Sequence, residues 1–370
     1  MGKHQKHTKL KLRDNDNFAP NEIAIVGTTC NIISELVSNI SVNLDNYKIA
    51  YFDASHREDI ESMSFEKFTF HHKGTAAVSM NSKLNKFNQR VQFSQYDFVF
   101  INGNHYQGAK QILILDNDKE ASVLKRLDQL NNIQFVVKLN DDAKYFDFLI
   151  EKYPQIKNLK CYDIHEIEKI SKHIDNLIKE KIAPIQGLVL AGGKSLRMGQ
   201  DKGTLQFYGK NQRDVVIGML EKNLLKTFLS VREEQEIENV NKITDKFVGL
   251  GPFGAICSAF QENPDVAWLV IATDVPFVND AVIQQLLNHR NPSKVATTIK
   301  GKDKQFPEPL ITIWEPKSYP ILLNYLAQGY SCPRKVLINS DIEIVEIDDS
   351  YIRNINTPED FKAAQKEINK

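Results

Sequence analysis

The stretch Gly187-Leu188-Val189-Leu190-Ala191-Gly192-Gly193-Lys194-Ser195-Leu196-Arg197-Met198-Gly199-Gln200-Asp201-Lys202 decides the fold. An apolar run over 185–190 stops at Ala191-Gly192-Gly193, and a polar segment follows that carries Lys194, Arg197 and Lys202, with Gly199 between the last two. A buried parallel strand ending in a glycine-rich loop presents backbone N–H groups at the C-terminal edge of its sheet. Glycines let that backbone approach an anion, and successive N–H groups form a nest for phosphate oxygens. The Arg197 fork can hold two phosphate oxygens, and Lys202 adds a point charge. A bare Gly-Gly pair after a strand would be an ordinary turn. Glycines, serine, arginine and lysine at fixed steps point instead to a nucleoside phosphate.

Downstream, apolar runs over 227–231 and 268–272 read as further buried strands, and 213–224 as a helix with Val215, Val216, Met219, Leu220 and Leu224 on one face. A helix is also expected over 233–240. The loop Gly249-Leu250-Gly251-Pro252-Phe253-Gly254 leads into a helix over 255–261. The strand over 268–272 ends in Thr273-Asp274, which places a carboxylate at the same sheet edge as the glycine loop. Taken alone, Asp274 reads as a helix cap or turn residue. Beside a phosphate loop it reads as the ligand of Mg²⁺, which takes oxygen donors and bridges phosphates. A strand over 310–314 and a helix over 317–328 follow. Thr357 with Asp360 makes a capping-box-like start for a last helix.

Leu190-Ala191-Gly192-Gly193, Ser195, Arg197-Met198-Gly199 and Asp201-Lys202 resemble the opening loop of molybdenum cofactor guanylyltransferases. The resemblance continues through 249–254, Asp274 and Asn354-Ile355-Asn356-Thr357-Pro358, and so spans 185–370. It implies a Rossmann-like nucleotidyltransferase domain that moves GMP from GTP to the phosphate of molybdopterin, with or without molybdenum, and releases pyrophosphate. It implies nucleotide contacts from Leu190, Ala191, Gly192, Gly193, Lys202, Asp245 and Asp274, catalytic roles for Arg197 and Lys202, and Mg²⁺ on Asp274. It makes Arg334, Lys335, Asn354 and Asn356 candidates for the pterin substrate, although both asparagines also suit a turn. Where the family commonly has an asparagine after the second strand, this chain has Ser230. The second glycine and the Asp-Lys pair favour GTP over CTP. Cytidylyl transfer, or a non-catalytic protein that binds and delivers the cofactor, are the alternatives. Cys332 reads as a packing residue.

Upstream, strands over 23–26, 48–52, 98–101, 111–115 and 134–138 alternate with helical patterns over 32–40, 121–130, 141–152 and 164–181, which implies a second α/β domain. A strand, Gly27 and a helix suggest a phosphate loop of the pattern Gly-x-x-x-x-Gly-Lys-Ser/Thr. The required glycine and lysine are here Ile32 and Ile33, so nucleotide binding in that manner is not expected. The layout over about 20–180 resembles the adaptor protein of molybdopterin-guanine dinucleotide biosynthesis. The His/Asp turn of that family matches Asp53 and His56, and Asn102-Gly103 stands where it has Glu-Gly. That implies a degenerate P-loop-like domain, with cofactor delivery to acceptor molybdoenzymes or their chaperones as its expected role. Adjacent His71 and His72 face opposite sides of a strand, with no ligand partner at metal spacing, and read as structural.

The expected organisation is therefore a basic tail at 1–18 and two three-layer α/β domains at 19–183 and 184–370. With 47 basic and 47 acidic residues among 370, no basic field favours nucleic acid or an acidic membrane. Four widely spaced cysteines form no metal-type pair and fit a reducing, cytoplasmic setting. Apolar runs are strand-sized, below the ~20 residues of a membrane helix. Residues 1–13 lack the apolar segment of a secretory signal.

Overall fold

A computed structural model describes residues 18–54, 67–70, 76–79, 86–191, 202–235 and 237–368. The chain divides into two compact units, Met1–Lys181 and Ile182–Lys370.

The first unit runs β1 (Glu22–Val26), α1 (Cys30–Val42), β2 (Ile49–Phe52), the antiparallel hairpin β3 (Lys67–Phe70) and β4 (Ala76–Ser79), α2 (Lys86–Phe93), β5 (Phe98–Asn102), β6 (Gln111–Leu115), α3 (Glu120–Lys125), β7 (Ile133–Lys138), α4 (Asp147–Lys152), β8 (Cys161–Asp163) and α5 (Ile167–Lys179). Six strands form one parallel sheet in the order β2-β5-β1-β6-β7-β8. Every residue of β1, β5 and β6 is buried, as expected for central parallel strands covered on both faces. α1 packs the stripe Ile33, Leu36, Val37 and Ile40 onto one face together with Ile170, Ile174 and Leu177 of α5. Phe18, placed at the end of the expected tail, is buried against Phe52 and Tyr106.

The helix expected over 141–152 forms only from Asp147. Ahead of it, the Asn117 side chain accepts from Lys144 N and donates to the Asp142 carbonyl, capturing groups that a helix would need. The helix expected over 121–130 ends at Lys125 and gives way to a short 3₁₀ turn.

The second unit runs β9 (Ile185–Leu190), α6 (Gln212–Lys222), β10 (Thr227–Val231), β11 (Lys242–Thr244), α7 (Pro252–Glu262), β12 (Ala267–Ala272), α8 (Asp280–Asn288), β13 (Ala296–Gly301), β14 (Glu308–Trp314), α9 (Ser318–Ala327), α10 (Pro333–Ile338), β15 (Glu343–Ile347) and α11 (Pro358–Ile368). The sheet order is β11-β10-β9-β12-β14-β13-β15. β14 is antiparallel to both of its neighbours, and the other pairings are parallel. Core clusters cover both faces, one around Val189, Leu269 and Ile271, the other around Leu188, Trp268 and Val270. Alternate residues of the same two strands thus feed opposite layers.

No helix forms among the described residues of 233–240. Asn239 adopts φ 62°, which breaks a helical run. Leu224 does not extend the α6 stripe either. It lies beyond the helix at φ 60° and is 94% exposed. Leu225 N donates to the Leu220 carbonyl and Leu224 N to that of Glu221, a Schellman-type ending with leucine where glycine is usual. A left-handed leucine costs about 1–2 kcal/mol, partly offset by the freedom that glycine loses on folding. Leu224→Gly is therefore expected to stabilise the unit by about 0.5–1 kcal/mol, read as a higher urea midpoint. A lower midpoint would show that Leu224 has packing value.

Candidate active site

The parallel strands β9, β10 and β12 end at one edge of the second sheet, around a cavity of about 220 Å³. Leu190 and Ala191 from β9, Ser230 and Val231 from β10, and Ala272, Thr273 and Asp274 from β12 line it. The edge is held by Thr273, whose N–H and Oγ1 both donate to the Leu190 carbonyl at 3.3 Å. The N-terminus of α7 closes another side, with Gly251 and Pro252 in the wall. Gly251 adopts φ 57° as the cap, and proline takes the first helical position, where its missing N–H costs nothing. The first amides of an 11-residue helix thus bring partial positive charge to the cavity. This helix begins at Pro252, inside the segment expected to be a loop.

Asp245 reaches the cavity from the end of β11. Its Oδ1 accepts from Ser258 Oγ at 2.9 Å and from Phe247 N at 3.0 Å, so the carboxylate is anchored to the first turns of α7. Burial, with the charge of Asp245, pushes the nearby Cys257 thiol up to about 12. Asp274 is half-buried, and its carbonyl accepts from Ile355 N at 2.8 Å. That bond ties the Asn354–Asn356 segment to the tip of β12.

A second, more open cavity of about 730 Å³ is lined by Arg334, Asn354, Glu308, Lys304, Phe277 and Arg353, among others. Arg334 Nη2 donates to Glu308 Oε2 at 3.2 Å. Burial pushes the Glu308 carboxyl above the usual range. Arg334 and Lys304 oppose that shift, and the negative charge of Asp274 adds to it. Asp274 is thus felt in the second cavity as well as the first. The Arg353 guanidinium lies 3.9 Å from the centre of the Phe277 ring.

Of the residues singled out from the sequence, Leu190, Ala191, Asp245 and Asp274 line the first cavity, and Arg334 and Asn354 the second. Lys335 lies elsewhere, 5.2 Å over the Tyr330 ring. Asn356 is absent from both walls; its N–H donates to Asp360 Oδ2 at 3.1 Å, and Asp360 N donates to Thr357 Oγ1 at the start of α11. Cys332, read as packing, is exposed. Gly192, Gly193, Arg197, Asp201, His56, His71 and His72 lie outside the described residues, as does the Lys202 side chain. Sequence reading missed Arg232, a cation just past β10 in the wall of the first cavity, 3.3 Å from Glu234 Oε1. Its signal was a basic residue one step beyond a strand that ends at the same sheet edge. Glu308 was missed because prolines flank it and suggest a turn.

At the corresponding edge of the first unit, Ile33 is buried in the core, so the position a phosphate-binding lysine would occupy faces inward. Thr28 Oγ1 donates to Asp116 Oδ2 at 2.8 Å and bridges the ends of β1 and β6. Asn102 Nδ2 donates to Asp53 Oδ1 at 2.8 Å. No helix among the described residues of either unit is long and apolar enough to cross a membrane.

The MobA-like NTP transferase domain family matches residues 187–342. The molybdenum cofactor biosynthesis bifunctional protein of Synechocystis sp. is 34% identical over 183 residues, 48% of this chain and 53% of that protein, so the chain spans about half the length of that relative. A probable molybdenum cofactor guanylyltransferase of Flavobacterium johnsoniae is 24% identical over 177 residues, 47% of this chain and 92% of that protein. Among solved structures, molybdopterin-guanine dinucleotide biosynthesis protein A from Archaeoglobus fulgidus is similar over 50% of this chain and 98% of that one, at 24% identity and a TM-score of 0.43. The residues that match the MobA-like NTP transferase domain family all fall in the second unit.

Proposed function

We propose that the second unit transfers GMP from GTP to the phosphate of molybdopterin, with or without bound molybdenum, and releases pyrophosphate. The observation that carries this reading is the position of Asp274. It lies in the wall of one cavity beside the end of β9, and its carbonyl accepts at 2.8 Å from the N–H of Ile355, which lines the other. A donor nucleotide fits the first cavity, where strand ends and the α7 amides favour phosphate. An acceptor phosphate fits the second, where Arg334 and Lys304 supply positive charge.

In this reading an oxygen of the acceptor phosphate forms a bond to the α-phosphorus, and the bond to pyrophosphate breaks. The protein supplies no nucleophile; it positions two anions and offsets charge as it develops. Asp274 would hold Mg²⁺. No cluster of three acidic, histidine or cysteine groups fit for a metal occurs among the described residues. One carboxylate is nevertheless enough for Mg²⁺ when substrate phosphates complete the shell. When bound, the ion offsets negative charge on the phosphates. Arg197 and Lys202 belong to the same proposal on sequence grounds.

The test is pyrophosphate release from GTP and from CTP, with molybdopterin present or withheld. GTP is expected to be turned over faster and only with the acceptor. Preference for CTP would reassign the base, and no release from either nucleotide would leave a binding protein. Lys202→Ala is expected to lower turnover about 10²-fold, as for loss of one preorganised charge. Near-normal turnover would remove Lys202 from the site.

A further inference from the structure

Three loops of the first unit, following β1, β2 and β5, bring together a thiol, an imidazole and a carboxylate. Cys30 is the first residue of α1, half-buried, and its Sγ lies 3.3 Å from His105 Nε2. The same ring nitrogen lies 3.9 Å from Asp53 Oδ1. Asp53 is held on both oxygens, by Tyr51 OH at 3.0 Å and by Asn102 Nδ2 at 2.8 Å. Asn104 Nδ2 donates to the Thr28 carbonyl at 2.9 Å and stands 3.7 Å from Cys30 Sγ. Arg126 Nη2 donates to the Asn104 carbonyl at 2.8 Å, which fixes the turn that carries His105.

Neither nucleotide binding nor the proposed transfer uses these groups. A thiol kept for packing looks like Cys257, wholly buried in an apolar cluster. Cys30 is instead placed against a base, and the base against an acid whose own orientation is fixed. That is the arrangement of an activated nucleophile. It also sits at the N-terminus of a 13-residue helix, where negative charge is favoured.

We propose that Cys30 is a site of covalent modification by small disulfides, with His105 as the proton acceptor. With its other nitrogen protonated, His105 presents a lone pair at Nε2 and takes the thiol proton. Cys30 Sγ attacks one sulfur of the disulfide. The new Sγ–S bond forms as the old S–S bond breaks, and the departing thiolate leaves with the electron pair and recovers the proton from His105. The products are a mixed disulfide on Cys30 and one small thiol, with no other oxidant required. Asp53 steadies the imidazolium while it carries the proton and acts as a positioning residue.

The exposed thiols of Cys161 and Cys332 are internal references. The full chain is treated with oxidised glutathione at pH 7, quenched with acid, and the rate at each cysteine is read by peptide mass spectrometry. Cys30 is expected to react about 10-fold faster than either exposed thiol, a modest share of what a positioned base can contribute. His105→Gln is expected to remove that lead and leave Cys161 and Cys332 unchanged, and Asp53→Asn to reduce it. A wild-type Cys30 no faster than the exposed pair overturns the proposal, whatever the folding of the variants. So does a lead that survives in a folded His105→Gln protein.

Discussion

Asp274→Asn is expected to lower pyrophosphate release about 10³-fold while leaving the second unit folded. The substitution is nearly isosteric, and the contact that ties Asp274 to Ile355 runs through the backbone carbonyl, which an amide side chain keeps. What disappears is a full negative charge at the edge of β12, half-buried in the cavity wall beside Leu190 and Ala191. If that charge holds Mg²⁺, its loss weakens the ion's attachment and leaves phosphate charge unopposed in the transition state. The Mg²⁺ concentration for half-maximal rate should rise with the loss of turnover, which separates loss of the ion from general damage. Unfolding free energies of variant and wild type should agree within about 0.5 kcal/mol, since the backbone contact is kept and the side chains are nearly the same size. The substitution also removes the negative charge that adds to the upward push of burial on the Glu308 carboxyl, so that group should ionise at lower pH in the variant. Turnover within about twofold of wild type would place the reaction elsewhere.

The elements legible in the sequence were those whose residues have one environment. β1, β5, β6 and β12 are buried at every position and read as unbroken apolar runs. β13 escaped notice because it hides polar groups in the core. Thr297 and Thr298 are fully buried, and the Thr298 and Thr312 hydroxyls lie 2.7 Å apart, both within hydrogen-bond distance of the Glu308 carbonyl. No pattern in Ala-Thr-Thr-Ile-Lys-Gly announces that partner from another strand. β15, at the sheet's edge, carries Glu343 and Glu346 with an exposed Ile344 between them, so no alternating pattern marks the pairing. The segment over 233–240 misled in the other direction. Its good helix formers have only Ile237 and Val240 to bury, too few to fix a helical stripe. The same division holds for the site. Asp274 and Leu190–Ala191 could be read because a strand end fixes their place. Lys335 could not, because α10 turns it away from its neighbour Arg334 and onto Tyr330.

Gly27 looks like the remnant of a phosphate loop, yet packing alone accounts for it. It follows β1 at φ 109°, a conformation that side chains rarely adopt. A Cβ there would stand 2.1 Å from the Ile114 carbonyl oxygen, a backbone atom in the middle of the neighbouring strand β6. That strand cannot yield, since it is paired on one side with β1 and on the other with β7. Gly27→Ala therefore combines backbone strain with overpacking, each costing about 1–3 kcal/mol. The expected loss is about 4 kcal/mol, or roughly 10 °C in the melting of the first unit. If the glycine survived for a nucleotide instead, the alanine variant would melt near the wild-type temperature and a phosphate ligand would raise the wild type's midpoint. The buried Ile33 and the Thr28–Asp116 bridge speak for the packing account, because they fill with the chain's own groups the ground that a phosphate tail would need. Thermal melting of Gly27→Ala, with and without GTP, separates the two accounts.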